Sequence, residues 1–380
     1  MYNFSKQPNR QNSGAIKWDI YRDRDVLPMW VADMDFESPP EVIQALKDRA
    51  DHGVFGYTWQ TPELVETLIS RMKNIYGWDI KEEWIIWLSG LVSGLNVTCR
   101  AIGDPGDEVL TSIPIYPPFL SAPGNQERKL AKFEMAIDKN RWVFDFDAFE
   151  NAISKKSKLF ILCNPHNPLG RIFSRDELLT VAELCTKHDL VICSDEIHCD
   201  ILLDQDKPHL PMALLSPEIA DRTITLMAPS KTFNIAGLGL SFAIIPNKKL
   251  RTKFERVMRG IVPHPNLFGY TAALAAYKHG GDWLAALLDY VRQNREMVFQ
   301  RINALPGLTT THVEATYLAW IDARELPVKD PHKFFEDAGV GLSNGREFNG
   351  RGFVRLNFGC PKTMLNQALY RMENAVKKLA

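Results

Sequence analysis

Apolar positions along this chain fall into two regimes. Between about residue 80 and residue 246, short and nearly continuous apolar runs alternate with stretches of helical period, the pattern of strands buried on both faces and covered by helices. The runs are Glu82–Leu88, Glu108–Ile113, Leu159–Cys163, Leu190–Cys193, Arg222–Met227 and Leu240–Pro246, and a hairpin is expected around Lys132–Val143. Between them the spacing predicts a helix from the Ser89-Gly90 turn to about Ile102, one over Phe146–Ser154, and one to His188 opened by the capping box Ser174-Arg175-Asp176-Glu177. Such alternation implies a mainly parallel sheet. After a helix near Lys248–Arg259 and a long helical region over Leu267–Leu305, the pattern changes. Strands at Thr316–Asp322 and Gly352–Phe358, separated by a helix at Pro331–Ala338 and closed by one at Lys362–Leu379, predict a compact α+β piece. Ahead of the sheet lie an extended arm over residues 1–40, a helix Pro39–Arg49 with Ser38 as cap, and a helix Pro62–Tyr76. We expect an arm joined to part of a small domain over 1–45, a large domain over 46–275 and a small carboxyl-terminal domain over 276–380.

Composition narrows the function classes. With 380 residues, 45% hydrophobic, 24% charged and a formal charge of -1, the chain has a substantial core and no electrostatic pull toward nucleic acid or an anionic membrane. Its amino-terminal residues lack the apolar stretch of a signal peptide, and no apolar run reaches membrane-spanning length, so a cytoplasmic protein acting on small molecules is expected. Six cysteines are scattered without a C-x-x-C pair and read as reduced packing residues, which leaves neither a disulfide framework nor a metal site. Repeats and low-complexity tracts are absent.

The candidate chemistry sits at strand ends. Lys231 follows the run Arg222–Met227 and is bracketed by Pro229 and Gly237; desolvation lowers an amine's pKa, and a neutral amine can form a Schiff base with an aldehyde. Asp195 ends the run before Glu196-Ile197-His198, where open α/β sheets bind ligands. Asn167 lies between two prolines and is therefore held extended. Taken singly each has a bland reading: a loop lysine, a capping carboxylate, a core aromatic at Tyr116, simple packing at the Ser89-Gly90 turn. Asp33 and Asp35 read as turn and capping residues without chemistry. Together, the groups meet the separate demands of a pyridoxal cofactor. Lys231 would hold the aldehyde, Asp195 the ring nitrogen, and Asn167 with His198 the phenolic oxygen. Tyr116 would cover a ring face, and the backbone amides of Gly90, Leu91 and Val92 at a helix start would receive the phosphate. Arg355, isolated in an apolar strand, suits a bidentate grip on a substrate α-carboxylate.

On these residues, with Trp30-Val31-Ala32-Asp33-Met34-Asp35-Phe36, Asn164 to Arg171, Ser194 to His198, Ala228 to Asn234 and Arg355-Leu356-Asn357-Phe358, the chain resembles fold-type I pyridoxal 5'-phosphate (PLP) enzymes of the class I/II aminotransferase superfamily. Within them it resembles the MalY/PatB-type cystathionine β-lyase (C-S lyase) branch. The resemblance implies an α/β fold whose large domain has a mainly parallel seven-stranded sheet between helices, plus a small α+β domain. It also implies Lys231 as catalytic residue, Asn167, Tyr116 and Arg355 at the substrate, and a homodimer in which Tyr57 reaches the phosphate of the neighbouring subunit's cofactor. Two departures are visible: His198 stands where many aminotransferases carry tyrosine, and Gly239 stands where many carry a phosphate-binding arginine, so phosphate binding leans on Ser230, the Gly90 turn and Tyr57.

The activity this implies is α,β-elimination from L-cystathionine or a related L-cysteine S-conjugate to thiol, pyruvate and ammonia. An aminotransferase shares the Cα deprotonation and is the nearest alternative. A regulatory binding protein on the same fold is the alternative from another class, against which the intact Lys231 and Asp195 argue. A nicotinamide dehydrogenase lacks its glycine fingerprint here.

Overall fold

A computed structural model of the chain describes residues 2–379. At its centre are strands β1 (Ile85–Leu88), β2 (Glu108–Ile113), β3 (Lys129–Glu134), β4 (Ser157–Cys163), β5 (Val191–Asp195), β6 (Thr223–Met227) and β7 (Ser241–Ile244), ordered β1-β7-β6-β5-β4-β2-β3 in one sheet. Neighbours run parallel except around β7, which is antiparallel to both β1 and β6. The reason is local. Between Met227 and Ser241 the chain holds only a short 3-10 turn, Ala236–Leu238, and not the crossover helix that a parallel return requires.

Both faces of the sheet are covered, which is why its strands read as continuous apolar runs. Ile161 of β4 packs with Leu91 and Leu95 of a helix α1 (Leu91–Ala101) on one face. Phe160 and Leu162 point the other way, toward Leu178, Val181 and Cys185 of α2 (Arg175–Lys187). The second unit carries strands β8 (Thr309–Thr310), β9 (Leu318–Asp322), β10 (Ser343–Asn344) and β11 (Phe353–Asn357), antiparallel in the order β8-β9-β11-β10. Met29, Met34 and Phe36 of the amino-terminal arm share one core with Trp283, Val291, Leu356 and Leu369 of this unit.

Several expected elements differ in detail. The long helical region is two helices, Leu267–His279 and Gly281–Asn303, which meet at Gly280. Phe233 holds that position to glycine: a Cβ at Gly280 would come within 2.6 Å of its ring. Ser38 caps nothing. Its hydroxyl donates to the Asn234 carbonyl at 3.0 Å, and the helix starts at Pro40 without a side-chain cap. Lys129–Glu134 is the parallel edge strand β3, and the hairpin is confined to Ala136–Asp138 and Arg141–Val143. Glu82–Trp84 form a 3-10 turn ahead of β1. All six cysteines are free and buried. Among the described residues no helix is long and apolar enough to cross a membrane, and no group of three or more His, Cys, Asp or Glu side chains is placed to hold a metal ion.

Candidate active site

Three adjacent parallel strands end at one cavity. β4 ends in Cys163 and leads into Asn164 to Asn167, β5 ends in Asp195, and β6 leads through Ala228-Pro229-Ser230 to Lys231. The cavity, about 800 Å³ including its mouth, is lined by Gly90, Leu91, Val92, Tyr116, Cys163, Asn167, Asp195, His198, Ser230, Lys231 and Gly239, among others. At one end stands the start of α1, whose first N–H groups have no acceptor within their helix. An anionic group is favoured there. Gly239 is left-handed at φ 59°, and a Cβ there would stand 3.0 Å from the Ser89 carbonyl, so this side of the cradle is built from backbone.

Burial governs the electrostatics. Desolvation pushes the Asp195 carboxyl up to about 7, against a backbone hydrogen bond from Ile197 that favours its charge. The same cause takes the Lys231 amine down to about 8 and the His198 ring down to about 3. Lys231 Nζ donates to the Ala32 carbonyl at 2.6 Å. His198 Nδ1 is buried with no partner. An acid at this position can give its proton to a ring nitrogen and, once ionised, accept the resulting ring N–H, and an amine that loses its proton more readily than an ordinary lysine can attack an aldehyde carbon.

The raised Asp195 carboxyl makes a measurable demand on stability. In the ligand-free protein its folded pKa of about 7 lies above the unfolded value near ~3.9, so between these values the unfolded chain releases a proton that the folded chain keeps. Stability from this group is therefore lost as pH rises through that window. Asp195→Asn is expected to match the ligand-free wild type near pH ~4 and to exceed it above pH ~7 by on the order of 4 kcal/mol. Urea denaturation at the two pH values checks this, and an unchanged gap between the proteins would reject it.

Arg355, on β11, stands beside the cavity. Its Nη1 donates to Asn167 Oδ1 at 2.9 Å, and its Nη2 donates to the Trp30 carbonyl at 2.9 Å and Ser343 Oγ at 3.2 Å. The guanidinium lies 4.6 Å from the Phe348 ring centroid, is 4% exposed, and leaves Nε unpartnered. Its hydrogen-bond acceptors are all neutral, and burial lowers its pKa to about 10. A buried cation without a counter-charge is costly, and an incoming carboxylate relieves that cost.

The expected site residues Gly90, Leu91, Val92, Tyr116, Asn167, Asp195, His198, Ser230 and Lys231 thus surround one space, with Arg355 attached through Asn167. Tyr57 is elsewhere, fully exposed on an irregular stretch with Val54, Phe55 and Trp59. Asp33 and Asp35 are not turn or capping groups: Asp35 bonds Lys17 Nζ at 2.7 Å and Arg10 at 2.8 Å, and Asp33 bonds Arg10 at 2.6 Å. Lys17 is 1% exposed, so this ion cluster anchors the arm beside Lys231. The contact between the Ala32 carbonyl and Lys231 has no signature in the sequence, because any residue offers a backbone carbonyl.

Residues 24–372 match the family model described as aminotransferase class I and II. Over 386 residues, covering 98% of this chain and 100% of the relative, the sequence is 38% identical to cystathionine beta-lyase PatB of Bacillus subtilis (strain 168). The crystal structure of OvoB superposes with a TM-score of 0.97 at 46% identity, covering 99% of both chains. That of cystalysin from Treponema denticola, which contains a pyridoxal 5'-phosphate cofactor, superposes with a TM-score of 0.95 at 35% identity and covers 100% of both.

Proposed function

The chain belongs to the aminotransferase class I and II family, and from that premise we propose that it is a PLP-dependent carbon-sulfur β-lyase acting on L-cystathionine or a related L-cysteine S-conjugate. The observation that carries the reading is the convergence of Lys231 and Asp195 on one cavity, with Arg355, buried without a counter-charge, bonded to Asn167 of its lining. The cavity's groups fit the cofactor: an amine held down to about 8, a carboxyl without a cationic partner, an orphaned His198 nitrogen and a helix start for an anion.

When bound, pyridoxal 5'-phosphate supplies an aldehyde to which amines attach and a ring that withdraws electrons from the bonds of the attached carbon. Lys231 would anchor it, and the start of α1 with Ser230 would hold its phosphate. Asp195 would keep a proton on the ring nitrogen, Asn167 and His198 would bond the phenolic oxygen, and Tyr116 would cover a ring face. Arg355 and Asn167 would grip the substrate α-carboxylate and so set the orientation of its Cα–H bond. Lys231 Nζ takes the Cα proton, the Cβ–S bond breaks with its electron pair leaving on sulfur, and water completes the conversion to thiol, pyruvate and ammonia.

Purified protein loaded with cofactor is expected to release pyruvate and thiol from cystathionine without any 2-oxo acid present. Amino-group transfer that requires a 2-oxo acid, with no pyruvate in its absence, would replace the lyase with the aminotransferase reading. The apolar stretch Val54, Phe55, Tyr57 and Trp59 supports a homodimer in which Tyr57 reaches the other subunit's phosphate; a monomer by sedimentation would remove it. The division at 1–45, 46–275 and 276–380 is retained as the proposed domain layout.

A further inference from the structure

The arm between Met29 and Asp33 is fastened carbonyl by carbonyl. The Met29 carbonyl accepts the Asn357 backbone N–H at 2.8 Å, and the Trp30 carbonyl accepts Arg355 Nη2 at 2.9 Å. The Ala32 carbonyl accepts both Lys231 Nζ at 2.6 Å and the Tyr317 hydroxyl at 3.0 Å. Val31 and Asp33, on either side of Ala32, give their carbonyls to the same group: Asn357 Nδ2 donates to them at 2.6 and 2.7 Å. Asn357 is 1% exposed, and its Oδ1 accepts the Gly359 N–H at 2.8 Å, so its amide is fully used within the protein. It lies two residues beyond Arg355 on β11, and alternation places both side chains on one face of that strand.

A fork that grips the residues before and after Ala32 restricts the peptide between them. We propose that Asn357 is a positioning residue for Lys231: by holding Val31 and Asp33 it fixes the Ala32 carbonyl, which takes one N–H of the lysine amine whenever that amine is free. The other positions on the nitrogen then face the cavity that Lys231 lines. The role deepens the reading of Lys231 as anchor and Cα base and rests on it. Arg355 keeps Asn167 and Ser343 as partners outside the arm, whereas the Lys231 amine has only the Ala32 carbonyl, so the loss of Asn357 falls mainly on the lysine and less on the carboxylate grip.

The charged and titratable groups facing Lys231 are Asp33 and Lys17 from the arm and its flank, Asp195 and His198 from the end of β5 and the turn after it, Cys163 from the end of β4, Tyr116 across the cavity, Arg355 from β11, and Tyr317, whose hydroxyl shares the Ala32 carbonyl. Asn357→Ala alters none of them. A carbonyl that accepts an N–H stabilises the ammonium more than the neutral amine, so a loosened carbonyl lowers the pH at which Lys231 loses its proton. The test uses cofactor-free protein, with reductive methylation of Lys231 by formaldehyde and cyanoborohydride followed across neutral to alkaline pH by peptide mass spectrometry. The midpoint for Lys231 in Asn357→Ala is expected to move down by about one pH unit, with surface lysines unchanged. In the loaded enzyme kcat is expected to fall about tenfold while KM stays near wild type. Asn357→Ser, whose single hydroxyl hydrogen cannot bridge two carbonyls, is measured in the same way should the alanine variant fold poorly. A folded variant with the wild-type midpoint overturns the proposal. Because the midpoint is read without cofactor or substrate, it is independent of whether Lys231 proves to be the base.

Discussion

Lys231→Ala is expected to abolish turnover while leaving the fold in place. The Lys231 amine makes a single hydrogen bond, to the Ala32 carbonyl, which retains the Tyr317 hydroxyl when the lysine is gone. Truncation also removes an amine that burial already drives toward its neutral form, so a melting temperature at or above that of the wild type is expected. Activity has no such reserve. The same nitrogen is assigned both cofactor anchor and Cα base, and losing a positioned general base alone costs roughly 10²- to 10⁴-fold. With the anchor lost as well, the fall should reach or exceed the top of that range, about 10⁴-fold. Borohydride reduction of the loaded wild type should leave a cofactor-sized mass increase on the peptide containing Lys231 and none in the variant. Wild-type turnover by Lys231→Ala, or the adduct on another lysine, would sink the assignment.

Arg355→Leu should lower kcat/KM by about two to three orders of magnitude, because removing one partner of a buried charge pair costs roughly 2 to 5 kcal/mol. Arg355→Lys should recover little. The guanidinium meets Asn167, Trp30 and Ser343 at once, and an ammonium cannot reproduce that planar fork. The loss is expected to be specific to the carboxylate. An amine substrate lacking that group should be turned over at similar rates by wild type and variant, and an equal loss on both substrates would show that Arg355 acts on something else. Stability should change less than activity, since the leucine variant removes a desolvated cation as well as its hydrogen bonds.

The strand ends were legible in the sequence because a buried parallel strand writes itself as an apolar run, and the first polar residues after it are the ones its carboxyl end presents. By that rule Asn167, Asp195 and Lys231 belong at neighbouring strand ends, and they line one cavity. It could not reveal what approaches from far along the chain. Asp33 and Asp35 look like turn residues until Arg10 and Lys17 are folded against them. Ser38 has the form of a helix cap, yet the nearby Asn234 carbonyl takes its hydroxyl. The helix boundary at Gly280 is a position where the ring of Phe233, far from it in sequence, leaves no room for a Cβ. In each case tertiary packing overrode a sound local preference.

The burial of every cysteine has a consequence for an enzyme whose product is a thiol. Released thiols and the disulfides they form on oxidation exchange with any protein sulfur that is both reachable and ionised. Cys163 lines the cavity, yet burial and the neighbouring Asp195 charge push its thiol well above the ordinary range, and Cys193 and Cys199 are raised by burial in the same way. The folded chain therefore offers its own product no sulfur to exchange with, and mixed-disulfide formation becomes a sensitive report of unfolding.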